Sequence, residues 1–200
     1  MADSTVLITE LGRRLRDPAN FAHSSAVLTR FLDHTQRLVN YHFSLILNTT
    51  AFIPSARRTL YLNSAISANI AHIETVRQGG RELFEVPWHS LVHNDPKWYR
   101  AVGKRYEMFA RVGNDMVVIY PSLATPLSVD VVYTRNPAAL TGAPGDVTVP
   151  NEYVTIVSDM TEVLALLRGR RLAEANARAA SILESFTTQG HESIETQGKP

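Results

Sequence analysis

Leucines four apart open the chain. Leu7, Leu11 and Leu15 recur with Arg13, Arg14 and Arg16 between and beside them. The spacing predicts an amphipathic helix over about residues 4–16, with a basic last turn that suits the helix dipole. Asp17-Pro18 ends it, because a residue before proline is driven out of the helical region. A second helix is predicted from Ser24, its N-cap, to about Leu45. Leu28, Phe31, Leu32, Leu38, Val39 and Phe43 share its apolar stripe, while Arg30, Asp33, His34, Arg37 and Asn40 fill much of the opposite face.

From residue 46 to 135 the period shortens to two. Leu127, Val129, Val131 and Tyr133 alternate with Ser128, Asp130, Val132 and Thr134, as in a half-buried strand. Arg105–Val112 alternates as well, and Gly113-Asn114 joins it to Asp115–Tyr120 as a hairpin. Gln78-Gly79-Gly80 separates Ile70–Arg77 from Glu82–Val86, a second hairpin; Thr59–Asn63 and Leu47–Phe52 are weaker strands. Pro87–Tyr99, with both tryptophans, reads as a short helix or loop capping the sheet.

Asn136–Val149 is a Pro- and Gly-containing connector, after which helical spacing returns. Pro150 suits a first helical position. Tyr153, Ile156, Val157, Met160, Val163, Leu164 and Leu167 form one stripe, and Gly169 caps it. A last, Ala-rich helix is predicted over about Arg171–Phe186, with Leu172, Ala175, Ala179, Ile182, Leu183 and Phe186 on one face. The remainder, 187–200, is polar and unpatterned, a flexible tail.

These elements predict an α+β fold. The terminal helices, 1–45 and 150–186, pack as a bundle, because neither end can bury its stripe alone. The β-rich segment with its connector, 46–149, is an antiparallel sheet domain inserted between them.

Composition narrows the chemistry. The chain has 200 residues, 20 Lys+Arg against 19 Asp+Glu, and no cysteine. Zero cysteine excludes disulfides, thiolate metal sites, iron–sulfur clusters and a Cys nucleophile, and it suits a reducing cytosol. A formal charge of +1 argues against general affinity for nucleic acid or anionic membrane and leaves only local patches open. No secretory signal or membrane-length apolar run is read.

No phosphate-loop, dinucleotide, nucleophile-elbow or zincin motif is present. His89 and His93 would share a helix face one turn apart, with Asp95 close by. They are a candidate pair of imidazoles and an oxygen for a divalent ion in a small metal- or carboxylate-dependent hydrolase, set against two polar residues in a surface turn. A Ser90, His93 and Asp95 triad, or an acid pair among Glu74, Glu82, Glu85 and Asp95, has no spacing in its favour. Charge is densest at Arg13, Arg14 and Arg16 and at Arg168, Arg170 and Arg171. These arginines are candidate contacts to a partner's carboxylates or, in a nucleic-acid-binding module, to phosphates, and otherwise they are solvated helix ends. Trp88 is a candidate interface anchor, and Trp98 reads as core or semi-core.

Taken together, Tyr120-Pro121 after a hairpin, the Val129–Tyr133 strand, Asn136-Pro137, Pro150–Tyr153 opening a helix and the Ala-rich Ala173–Phe186 form a pattern. It resembles the head-to-tail adaptor (connector, head-completion) proteins of tailed bacteriophages, especially the tail-tubular-A type. Asp95-Pro96-Lys97-Trp98 and the helix bearing Phe31-Leu32 fit the same pattern, so the resemblance spans about residues 4–187. It implies a structural virion protein with no enzyme activity and no cofactor. Such proteins form a ring, commonly of twelve copies, between the portal of the capsid and the tail nozzle or tail tube. Assembly takes place in the host cytoplasm and away from membrane, and packaged DNA passes through the ring without sequence-specific binding. The resemblance also implies that 187–200, with Ile194, inserts at the portal.

Overall fold

The structure, a computed structural model, describes residues 2–17, 22–140 and 146–197, with side chains as far as Glu184. The chain runs through β1 (Ala2–Asp3), α1 (Ser4–Arg14) and α2 (Ser25–Phe43) into β2 (Leu47–Phe52), β3 (Leu60–Leu62), α3 (Asn63–Ile66) and β4 (Ile70–Gln78). β5 (Arg81–Glu82), β6 (Phe84–Glu85), α4 (Trp88–Asn94), β7 (Val102–Gly103), β8 (Met108–Val112) and β9 (Met116–Tyr120) follow. Then come β10 (Ser122–Leu123), β11 (Val129–Arg135), β12 (Asp146–Val147), α5 (Asn151–Arg168) and α6 (Leu172–Gln197). The fold is α+β, and it divides into two compact units, Met1–Phe43 with Pro137–Pro200, and Ser44–Asn136.

In the helical unit, α1 begins where the Asp3 carboxylate accepts the Thr5 N–H at 2.8 Å. Leu15, Leu28, Ala165, Leu166 and Ala175 form the core, with Ile8, Phe31 and Val163 packed against it. The buried face of α2 is more polar than its stripe predicts. Thr35, Gln36 and Asn40 are fully buried, so Asn40 does not belong to the solvated face, whereas Leu38 is 42% exposed. Thr35 and Thr161 hydroxyls meet at 2.7 Å, and the Thr161 hydroxyl also donates to the Val157 carbonyl. This pairing satisfies polar groups that burial would otherwise penalise.

The same stretch of α2 holds the connector. The Gln36 amide donates to the Ala138 carbonyl at 2.9 Å, and the Asp33 carboxylate accepts the Leu140 N–H at 2.9 Å. β12 pairs antiparallel with β1, Ala2 opposite Val147. Pro137–Val149 therefore belongs to the helical unit and not, as expected, to the β-rich segment. Side chains of α2 bond the backbone groups of Ala138, Leu140 and Thr148 in it. α5 closes at Gly169, whose N–H bonds to the Ala165 carbonyl. The residue with left-handed backbone in that turn is Arg170, at φ 57°. α6 runs from Leu172 to Gln197, and its last turns fall in the segment expected as a flexible tail. Residues 198–200 lie outside the described residues.

The β-rich unit holds two four-stranded sheets, in the orders β2-β11-β4-β5 and β3-β9-β8-β6. One shared core joins them: Ile73 and Val76 of β4, Val129, Val131 and Tyr133 of β11, Tyr61 of β3, Phe109 of β8, and Val117 and Ile119 of β9. Alternation explains the second layer. Ala110 and Val118 point the other way, where Leu91 of α4, Trp88 and Trp98 cover them. Gly79 and Gly80, at φ 55° and 80°, make the two-residue turn between β4 and β5. The predicted strand Glu82–Val86 divides in two at Leu83: β5 pairs with β4, and β6 pairs in parallel with β8 of the other sheet.

Candidate interaction surfaces

The arginines singled out in the sequence have different surroundings. Arg14 is committed inside the helical unit. Its guanidinium donates to Asp159 at 2.7 Å and to Glu10 at 2.8 Å, and it stands 3.5 Å from Glu162. Arg178 of α6 reaches the same Asp159 at 2.5 Å and stands 3.3 Å from Glu162. Asp159 thus joins α1 to α6 through α5, and Arg14 is a bundle contact instead of a partner contact. Burial lowers the Arg14 guanidinium, but Asp159 and Glu10 outweigh that and hold it above its ordinary pKa.

The remaining arginines gather at one end of the helical unit. Arg171 donates to the Leu15 carbonyl at 2.9 Å and pairs with Glu174, which brings the end of α1 against the α5–α6 turn. Arg13, Arg16, Arg168 and Arg170 are exposed there and make no ion pair among the described residues. Trp88 is half-buried and meets Trp98 edge-on at 4.9 Å, so it covers the sheet with Trp98. The side chain of Ile194 lies outside the described residues.

An apolar groove runs along the helical unit between α2, α5 and α6. One part, of about 290 Å³, is lined by Leu38, Met160, Val163, Leu164, Ala179 and Ile182. Its continuation, of about 350 Å³, passes Val39, His42 and Phe43. Tyr153 packs on Phe43 at 5.3 Å. Leu38 and Leu183, read in the sequence as buried positions, stand on its rim at 42% and 66% exposure. The missed signal is the width of the stripes. α5 is apolar over more than one face, and that excess is not needed inside the bundle.

His89 and His93 lie on α4 with exposed side chains. Asp95 is occupied: one carboxylate oxygen accepts the Lys97 N–H at 3.0 Å and the other the Tyr120 hydroxyl at 2.9 Å. Burial, and after it that carboxylate, pushes the Tyr120 phenol upward. Among the described residues no three His, Asp or Glu side chains gather as metal ligands. None of their helices is long and apolar enough to cross a membrane. The chain matches no known family model and no curated protein.

Proposed function

We propose that the chain is a structural virion protein: a ring-forming adaptor that joins the portal of a capsid to a tail nozzle or tail tube and helps retain packaged DNA. The observation that carries the reading is the apolar groove of the helical unit. It is lined by side chains from three helices, and it suits burial by protein. Its occupant is the helical unit of a neighbouring copy. Charge favours that choice. Exposed Arg13, Arg16, Arg168 and Arg170 mark one end, while the sequence after Arg178 is acidic, with Glu184, Glu192 and Glu195 and no Lys or Arg before Lys199. A head-to-tail contact sets opposite charges together, and repeated head-to-tail contacts close into a ring. The element order and the motif resemblance supply the portal and tail as the ring's neighbours and the head–tail junction of a virion as its place.

Electron microscopy of the protein with the portal from the same genome is the test. A ring seated on the portal is the expected result. A protein that stays monomeric with the portal present, at any concentration, overturns the proposal.

A further inference from the structure

Residues 97–105 read Lys-Trp-Tyr-Arg-Ala-Val-Gly-Lys-Arg, four cations in nine positions with no acid among them. The segment is held tightly to the β-rich unit at alternate points. Trp98 packs edge-on against Trp88, and the Ser122 hydroxyl donates to the Ala101 carbonyl at 2.7 Å. β7 pairs with β10, and a Cβ on Gly103 would stand 2.3 Å from the Pro121 ring. Tyr106 is buried, its N–H donating to Gln78 at 3.3 Å. Between these points Lys97, Tyr99, Arg100, Lys104 and Arg105 are exposed. Lys97, Arg100 and Lys104 make no side-chain ion pair among the described residues, and Arg105 reaches only Glu107, at 3.9 Å. The Arg100 guanidinium lies 5.5 Å from the centre of the Tyr99 ring, which is 51% exposed.

We propose that this fixed basic loop binds the phosphate backbone of duplex DNA without reading sequence. Three features favour DNA over an acidic protein. Two of the four cations are lysines, which protein interfaces avoid and phosphate contacts accept. Lys97, Arg100 and Lys104 pair with no carboxylate among the described residues, and phosphates neutralised by them release their counterions from the DNA. The loop also holds its charges on a pinned backbone, so little ordering entropy is lost on binding. The loop carries a single 3-10 turn, Trp98–Arg100, which is too short to serve as a recognition helix, so the base edges are left unread. The proposal stands on the β-rich unit alone and does not depend on ring formation.

The experiment is fluorescence anisotropy of a labelled 20-base-pair duplex titrated with the full chain at several salt concentrations. Four phosphate contacts predict a log–log salt slope of about −3.6, or about a hundredfold loss of affinity between 50 and 200 mM salt. Lys97→Gln, Arg100→Gln, Lys104→Gln and Arg105→Gln together abolish this binding, and each alone lowers the slope by about 0.9. The matching Arg13→Gln, Arg16→Gln, Arg168→Gln and Arg170→Gln variant retains it. Binding that survives the loop variants, or is lost only in the helical-end variant, overturns the proposal. So does competition by polyglutamate equal, charge for charge, to competition by DNA, which would assign the loop to an acidic protein.

Discussion

Asp159 carries more of the helical unit than any charge picked from the sequence. It receives two guanidiniums, from α1 and α6, while itself sitting on α5. Its side chain is 16% exposed, so removing it leaves two cations poorly solvated. Asp159→Ala is expected to lower the unfolding free energy by about 2 kcal/mol, measured by urea denaturation. Asp33 gives a pH-dependent counterpart. Burial raises its carboxyl, but the Leu140 N–H, Arg37 and Gln36 outweigh that and hold it below the ordinary value. A carboxyl depressed in the folded state stabilises the fold above its unfolded pKa of about 4 and loses that contribution as pH falls through the folded value. The connector is therefore expected to loosen in acid, seen as a fall in the protection factor of the Leu140 amide (exchange relative to the intrinsic rate at each pH) below about pH 4, and Asp33→Asn is expected to remove the dependence. Neither role was legible in sequence. An aspartate on a helix looks the same whether it faces water or two arginines from elements 145 and 19 residues away.

Elements were legible where their period was long enough to register. The alternation of β11 came through because buried and exposed positions repeat along its seven residues, and the hairpin at Gly113 came through on its turn residues, since β8 and β9 are covered on both faces. The pairings β1 with β12 and β7 with β10 span two residues each, too few for a period, and they depend on partners far along the chain. The exposed groove residues were hidden for the opposite reason. A stripe gives the direction of the core but not how much of it the neighbouring helices cover. β7 also yields a prediction. Its Gly103 lies against Pro121 with no room for a methyl group, and Pro121 is a rigid ring that cannot swing aside. Gly103→Ala is expected to destabilise the β-rich unit by about 1–3 kcal/mol, read from its denaturation midpoint. Gly79, with nothing within 4 Å of a Cβ but φ at 55°, is a weaker site whose penalty is conformational only.

The division into two units is the property of the whole molecule with the clearest consequence. Each unit has its own buried cluster, so neither core requires side chains from the other. The ends of the inserted unit meet: the Arg135 N–H bonds to the Ile46 carbonyl at 2.7 Å, and the Asn136 N–H to Asn69 at 2.8 Å. An insertion whose ends lie together can be cut out with little loss, because closing the gap costs only a short loop. Ser44–Asn136 made alone is expected to unfold in one cooperative step by circular dichroism and to keep the salt-dependent DNA binding of Lys97, Arg100, Lys104 and Arg105. The complementary chain, Phe43 joined to Pro137 by a short Gly-Ser linker, is expected to keep self-association through the groove at Leu38 and Met160 and to lose DNA binding. Leu38→Glu in that chain should then return it to monomer, as followed by native mass spectrometry. A linked helical chain that binds DNA as well as the full protein, or an excised β-rich unit with no cooperative transition, would show that these two activities are not divided between the units.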